Sequence, residues 1–417
     1  MKPFTKSLAP LCAALGAALA LGTAALAAHA QTVLDFPTWQ AEEPGISTWW
    51  KSLIAAYEKK YPDVKVNLQQ IPFAQYVKQM TVRFAAGTPP DIVHLPARDF
   101  ASFADQGWLE PLDERLKTTD IPANWPPLQS DMQWGGKTQG VLLMGYGGML
   151  FYNEKRLKDA GVNVPKTGDE WLAAMKATTA ADKGLFGLST ITAEHPNMVV
   201  EMASWVIGSG ADWLKGGKYN FTDPAVVKAI DNWRASINYA PKGTNSATAR
   251  QLFIDGKTAF LRDGPWVWGA VEKAPADVKP SLKVAGLPFP VVPGGASNSI
   301  HIAVKADAKK KDAVWNFIVM AASPEWQRAY GLTGSPAPRK NALTAADFAA
   351  HAHLKIINEE ASKAQNLFPS VPAVRAGYND FATQVTKAAM RMISTQEPTA
   401  KVLADLQKEL ERAVPLK

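Results

Sequence analysis

The feature that most restricts how this chain can fold is an alternation near its start. Thr32-Val33-Leu34-Asp35-Phe36 reads as a short strand. Ile46, Trp49, Trp50, Leu53, Ile54 and Tyr57 then recur at helical spacing and stop before Pro62. Val64, Val66 and Leu68 alternate with Lys65 and Asn67 as a second strand. A second helical face of Phe73, Val77, Met80 and Phe84 ends at Gly87-Thr88-Pro89-Pro90, and residues 91–95 form a third strand. The order β-α-β-α-β implies a mostly parallel sheet with right-handed crossovers and helices on both faces.

The pattern restarts further on. A glycine-rich apolar stretch over 142–150 reads as extended chain, Thr167-Gly168-Asp169-Glu170 as a helix capping box, and Asp223-Pro224 as another helix start. Strand-like runs at 284–287 and 300–304 flank an expected loop over 288–299. Helical patterns follow at 308–322 and 323–329, and an amphipathic one closes the chain at 400–413.

The first 30 residues form a separate segment. Lys2 and Lys6 precede an apolar run over 8–27 that ends in Ala28-His29-Ala30, which predicts a secretory signal cleaved after Ala30 and a periplasmic protein. The one cysteine, Cys12, lies inside that segment, so disulfides, thiol nucleophiles and thiolate metal sites are excluded downstream. Lys and Arg outnumber Asp and Glu by 45 to 38, and two of those lysines belong to the leader. With no basic run longer than Lys309-Lys310-Lys311, nucleic acid is a poor partner.

Four segments, taken in order, resemble the maltose-binding-like extracellular solute-binding proteins of ABC importers, family 1. They are Gly87-Thr88-Pro89-Pro90-Asp91-Ile92 with Gly107-Trp108-Leu109-Glu110-Pro111-Leu112, and Leu150-Phe151-Tyr152-Asn153-Glu154 with Pro165-Lys166-Thr167. The others are Gly256-Lys257-Thr258-Ala259-Phe260 with Gly264-Pro265-Trp266, and Pro324-Glu325-Trp326-Gln327 with Gly334-Ser335-Pro336. The resemblance implies an α/β, two-lobed periplasmic binding fold with a ligand cleft between the lobes. It also implies three hinge crossings, near 145–148, 298–301 and 333–337. The expected boundaries are 1–30 for the signal, 31–145 and 299–335 for the N-terminal lobe, and 146–298 and 336–417 for the C-terminal lobe. The implied function is capture of a small solute, a sugar first of all, by hinge closure and its delivery to the membrane subunits of an importer. No enzymatic activity, cofactor or metal is expected, and a monomer is.

Ligands of open α/β sheets bind beyond the carboxyl ends of strands. A sugar needs directional polar groups and flat apolar faces. The loops that meet this description carry Trp39, Gln40, Glu42 and Glu43 after the first strand and Arg98 and Asp99 after the third. Trp39 is equally readable as core packing, and Glu42 and Glu43 as a solvated pair. Tyr146 sits between glycines at the first crossing, and Glu194 and Asn197 follow a strand-like run at 187–190. His195 reads as an ordinary exposed loop histidine, and Trp268 as structural. The resemblance adds Trp266 in its Gly-Pro-Trp turn, Ser297, Asn298 and Ser299 at the second crossing, and Arg375 and Tyr378 in the tail. Where maltose-binding members carry an aromatic after the third strand, this chain has Leu95 and Pro96.

Other classes fit less well. There is no H-E-x-x-H or G-x-S-x-G for a secreted hydrolase, and the adjacent Glu42 and Glu43 do not establish a glycosidase pair. The two Gly-Lys-Thr tripeptides, starting at Gly136 and Gly256, lack the upstream glycine of a phosphate loop, and His351 with His353 lacks further metal ligands. Arg98 and Arg375 keep open an anionic solute such as glycerol phosphate. A polyamine is a further binding alternative.

Overall fold

The expected stripe of the first helix drives the first lobe together. In the computed structural model, β1 (Thr32–Thr38) pairs in parallel with β2 (Val64–Gln70), and α1 (Ile46–Lys60) connects them with Ile46, Trp49, Trp50, Leu53, Ile54 and Tyr57 all buried. The next helix, α2 (Phe73–Ala85), turns Tyr76, Met80 and Phe84 inward, and leads to β3 (Ile92–Pro96), which lies beside β1. Tyr76 replaces the expected Val77 in the core. Its hydroxyl donates to the carbonyls of Pro37 and His94, so the ring is buried with its polar end satisfied. The structure describes residues 31–416. The expected signal segment and its cleavage after Ala30 lie outside them. Among the described residues no helix is long and apolar enough to cross a membrane.

The chain leaves this lobe along β4 (Val141–Gly147) and enters the second as β5 (Met149–Asn153). There β5 is flanked by β7 (Thr258–Asp263) and β8 (Leu282–Gly286), both antiparallel to it, and β6 (Phe186–Ser189) pairs in parallel with β7. The return path is β9 (Pro293–Ile302), antiparallel to both β3 and β4. The sheets are therefore mixed rather than mostly parallel as expected. Strands that carry the chain out of one lobe and back enter each sheet against the direction set by its βαβ units.

The core divides accordingly. One cluster gathers side chains from Leu34 to Met144 and from Ile300 to Tyr330. Two others gather Tyr146 to Leu287 with Leu367 to Val414, and Met149 to Val284 with Ile357. The first crossing falls at the expected glycines. The second lies just ahead of its expected place, because Asn298–Ile302 already pair with β3. The expected loop over 288–299 is mostly strand. Its Gly-Gly-Ala-Ser composition reads as coil, and pairing with the glycines of β4 makes it extended. At Gly147 a Cβ would lie 2.7 Å from the backbone of Glu360, so the helix Ala352–Lys363 presses on the crossing where only glycine fits. The chain's third passage comes later than residue 335: Arg339 ion-pairs with Asp120, Leu343 packs on Gly331, and Asp347 pairs with Arg328, all on first-lobe partners.

Four histidines are held neutral by burial. His94 is lowered to about 3, and His195, His301 and His353 to about 4. Unfolding frees them to bind protons below pH 6.5, so their contribution to stability is lost as pH falls from 6.5 toward 4. Asp99, raised to about 6 by burial, works in the opposite sense, as do Glu43 and Asp131, which burial also raises. The histidines outnumber these acids. The urea midpoint of the protein is expected to fall between pH 7 and pH 5, and a flat or rising profile would contradict the neutral assignments.

Candidate functional site

Between the first core and the second lies a cavity of about 470 Å3, within the range of about 300–1,000 Å3 typical of small-molecule sites. Its first-lobe wall comes from the loop after β1, the start of α2 and the end of β3. Its second-lobe wall comes from the loops after β6 and β7 and from the helix Ser246–Ile254. The hinge strands β4 and β9 form the back.

Of the sequence candidates, Trp39, Gln40, Glu42, Glu43, Arg98, Tyr146, Trp266, Ser297 and Asn298 line this cavity. Trp39 is packed and also reaches the cavity. It lines the cavity while its indole stacks on His94 at 4.1 Å and 10° and takes the edges of Phe73 and Tyr76. Tyr146 is 8% exposed and meets Trp266 at a centroid distance of 5.2 Å. Trp266 also packs against all three clusters, and its ring lies over Gly264, where a Cβ would be 2.1 Å from it. Trp268 stacks on His353 at 4.0 Å, a packing role.

The other candidates are placed elsewhere. Ser299 is fully buried in β9 and shares a 2.7 Å hydrogen bond with His301, because strand alternation turns it away from its neighbour Asn298. Asp99 is buried behind Arg98 at 3.6 Å. Glu194 is exposed outside the cavity. Arg375 donates to the backbone carbonyls of Asp131 at 2.5 Å and Gln133 at 3.4 Å, tying the tail to the first lobe. Tyr378 is buried, with the Arg98 guanidinium 5.9 Å from its ring. A small side chamber beside the cleft is lined by Arg375, Tyr378 and Arg98 together.

His195 corrects the sequence reading in the other direction. It is 5% exposed and lines the cavity, accepts from the Asn197 amide at 3.1 Å and bonds Ser246 at 3.2 Å. Phe73, Arg250, Arg262, Asp263 and Glu201 also line the cavity and were not singled out from sequence. Arg262 and Asp263 directly precede the Gly-Pro-Trp turn, at the carboxyl end of β7. That position was the available signal.

The lobes touch across the cleft. Arg98 donates to Asn197 Oδ1 at 2.9 Å, Phe73 stacks on His195 at 6.4 Å, and Arg250 approaches Glu43 at 3.5 Å while gripping Asp263 through two hydrogen bonds. Arg262 is likewise held by Glu201, at 2.5 Å and 3.2 Å. Burial raises the Glu43 carboxyl against the pull of Arg250. These contacts define a closed arrangement.

A two-lobed α/β body shut around a polar and aromatic cavity is the architecture of a solute binder. The chain belongs to the bacterial extracellular solute-binding proteins, whose family profile matches residues 40–328. It is 25% identical over 324 residues to the diacetylchitobiose binding protein DasA of Streptomyces coelicolor, covering 73% of each chain. Its fold matches that of an ABC transporter solute-binding protein from Thermotoga lettingae bound with α-D-tagatose, with a TM-score of 0.83 at 22% identity over 92% of this chain and 100% of that one. It also matches UgpB of Mycobacterium tuberculosis in complex with glycerophosphocholine, with a TM-score of 0.77 at 19% identity over 91% and 98% of the two chains.

Closure brings the Pro44 loop so near the second lobe that a Cβ on Gly269 would stand 2.3 Å from the Pro44 carbonyl oxygen. Gly269→Ala is expected to hold the lobes apart: at saturating solute its radius of gyration by X-ray scattering should exceed that of the wild type, with little change in the ligand-free melting temperature. A variant that closes as far as the wild type would show that this contact does not limit closure.

Proposed function

We propose that the chain is the periplasmic substrate-binding component of an ABC importer and that it captures a neutral sugar, mono- to oligosaccharide, as a non-catalytic monomer. The observation that carries this reading is the state of the cleft arginines. Arg98 is engaged by Asn197 and Asp99, Arg250 by Asp263 and Glu43, and Arg262 by Glu201. A phosphate or carboxylate would have to displace these partners, at the cost of leaving buried carboxylates unpaired. The same pairing disfavours a polyamine, because Glu43, Asp263 and Glu201 already have their cations. Arg375, which with Arg98 kept an anionic ligand open, turns two of its N–H donors to backbone carbonyls.

What else lines the cavity is suited to a polyol. Trp39, Phe73, Tyr146, Trp266 and Phe368 give flat apolar faces, and Gln40, Asn298, Ser297 and Ser246 give amide and hydroxyl groups. A relative named for diacetylchitobiose and a fold neighbour solved with tagatose support the same class. Against hydrolysis stands the pairing of Glu43, Asp263 and Glu201 with arginine, which leaves Glu42 on the cavity wall without a second free carboxyl to act with it as an acid and base pair.

Ligand contacts from both lobes stabilise the closed form over the open one, so binding shifts a hinge equilibrium whose closed shape the membrane subunits can read. A thermal-shift panel on the mature protein tests the reading, since a ligand of the folded state raises the melting temperature. At least one of tagatose, maltose, maltotriose and diacetylchitobiose is expected to do so, glycerol 3-phosphate and spermidine are not, and Trp266→Ala should abolish the response. A response to the phosphate ester alone would overturn the neutral-sugar assignment.

A further inference from the structure

The amide side chains on the first-lobe wall of the cleft are oriented from behind by buried donors. The indole N–H of Trp50, which can only donate, gives its hydrogen to Gln40 Oε1 at 3.1 Å. Gln40 is thereby left with its NH2 group to offer beside Glu43. Asn298 is held in the same way. Its Oδ1 lies 3.1 Å from Nε2 of His94, while the side chain borders the cavity and its NH2 has a long, 3.4 Å contact to Ser297 Oγ, with the buried Tyr330 a further neighbour of the amide.

His94 is fully buried in β3, and burial lowers its pKa to about 3, so its ring is neutral and carries one N–H. Its Nδ1 lies 2.8 Å from Thr38 Oγ, and that oxygen already accepts the Gln40 backbone N–H at 3.1 Å. A hydroxyl that accepts from Gln40 has its own hydrogen to give, and Nδ1 is the acceptor within reach. The bonds then run in one direction, from Gln40 N–H to Thr38 Oγ, from Thr38 O–H to His94 Nδ1, and from His94 Nε2–H to Asn298 Oδ1. The face of the same imidazole supports the Trp39 indole at 4.1 Å.

We propose that His94 is a positioning residue of the solute site: as the Nε2–H tautomer it fixes Asn298 with its NH2 turned to the cleft, so that Asn298 donates to an acceptor oxygen of the ligand, and it carries Trp39 in place. The inference rests on the solute occupying this cleft. It also specifies the sense of one hydrogen bond, which the proposed function leaves open.

Two measurements test it, and the first needs no ligand. In 15N-histidine NMR spectra of the mature protein, with the signal assigned by its loss in His94→Gln, His94 is expected to show the neutral Nε2–H form from pH 7 to pH 5. The Nδ1–H form, or protonation within that range, would overturn the proposal whatever the solute is. The second is calorimetry with tagatose and maltotriose on wild type, His94→Gln, His94→Leu and Asn298→Asp. Glutamine can return an N–H near the Nε2 position and is expected to keep affinity within about threefold. Leucine, which cannot, and Asn298→Asp, which turns an acceptor to the cleft, are each expected to lose at least tenfold. Equal losses in the glutamine and leucine variants, or undiminished affinity in Asn298→Asp, would refute the positioning role. If neither these two nor the other sugars of the thermal-shift panel bind the wild type, the sugar reading fails, and the tautomer result still decides the orientation of Asn298.

Discussion

The pairing of Val141–Gly147 with the strand that returns from the second lobe is the constraint on which the rest depends. It carries the chain out of one core and back into it through a single two-stranded ribbon. Backbone hydrogen bonds hold the two passes together, while the glycines that compose them leave little side-chain bulk to resist bending. Each lobe can therefore complete its own core, and the space between them becomes a groove whose width is set by this joint together with the chain's later third passage. The residues at the back of that groove, Tyr146, Ser297 and Asn298, belong to the joint itself. The hinge and the back wall of the cavity are thus properties of the same strands.

The helices of both lobes were legible because their signals are local. The six apolar positions of α1 fall on one helical face, and all six are buried. Asp223 caps its helix as read, accepting from the Ala225 amide at 2.8 Å, and Thr167 caps another by accepting from Glu170. The strand direction in the second lobe was not legible, because it follows from where the chain re-enters after the crossing, which no local pattern records. The run Pro293–Ser297 failed for a related reason. Glycine and serine there signal a loop in isolation, and only the partner strand makes them extended.

Candidates in the cleft followed the same division. Residues directly after strands, such as Trp39, Glu43 and Arg98, were found by position alone. Asn298 and Ser299 are neighbours that sequence could not separate, yet the period of two along β9 sends one to the cavity and the other to His301. Arg250 was missed because it stands on a helix with no motif of its own. Its importance lies in reaching both Asp263 and, across the cleft, Glu43. His94 escaped notice for the opposite reason, since it is hidden in a strand and acts through the groups packed upon it.

The internal matching of arginine and carboxylate also bears on how fast solute is taken up. A pocket whose charges cancel within a few ångströms projects little field into the surrounding water, and salt shortens its reach further. Encounter with a neutral molecule, the ligand class proposed above, is then plain diffusion to an open groove, indifferent to the ionic strength of the surroundings. In such a protein the supply of solute to the importer is governed by how many copies stand open and how quickly each swings shut.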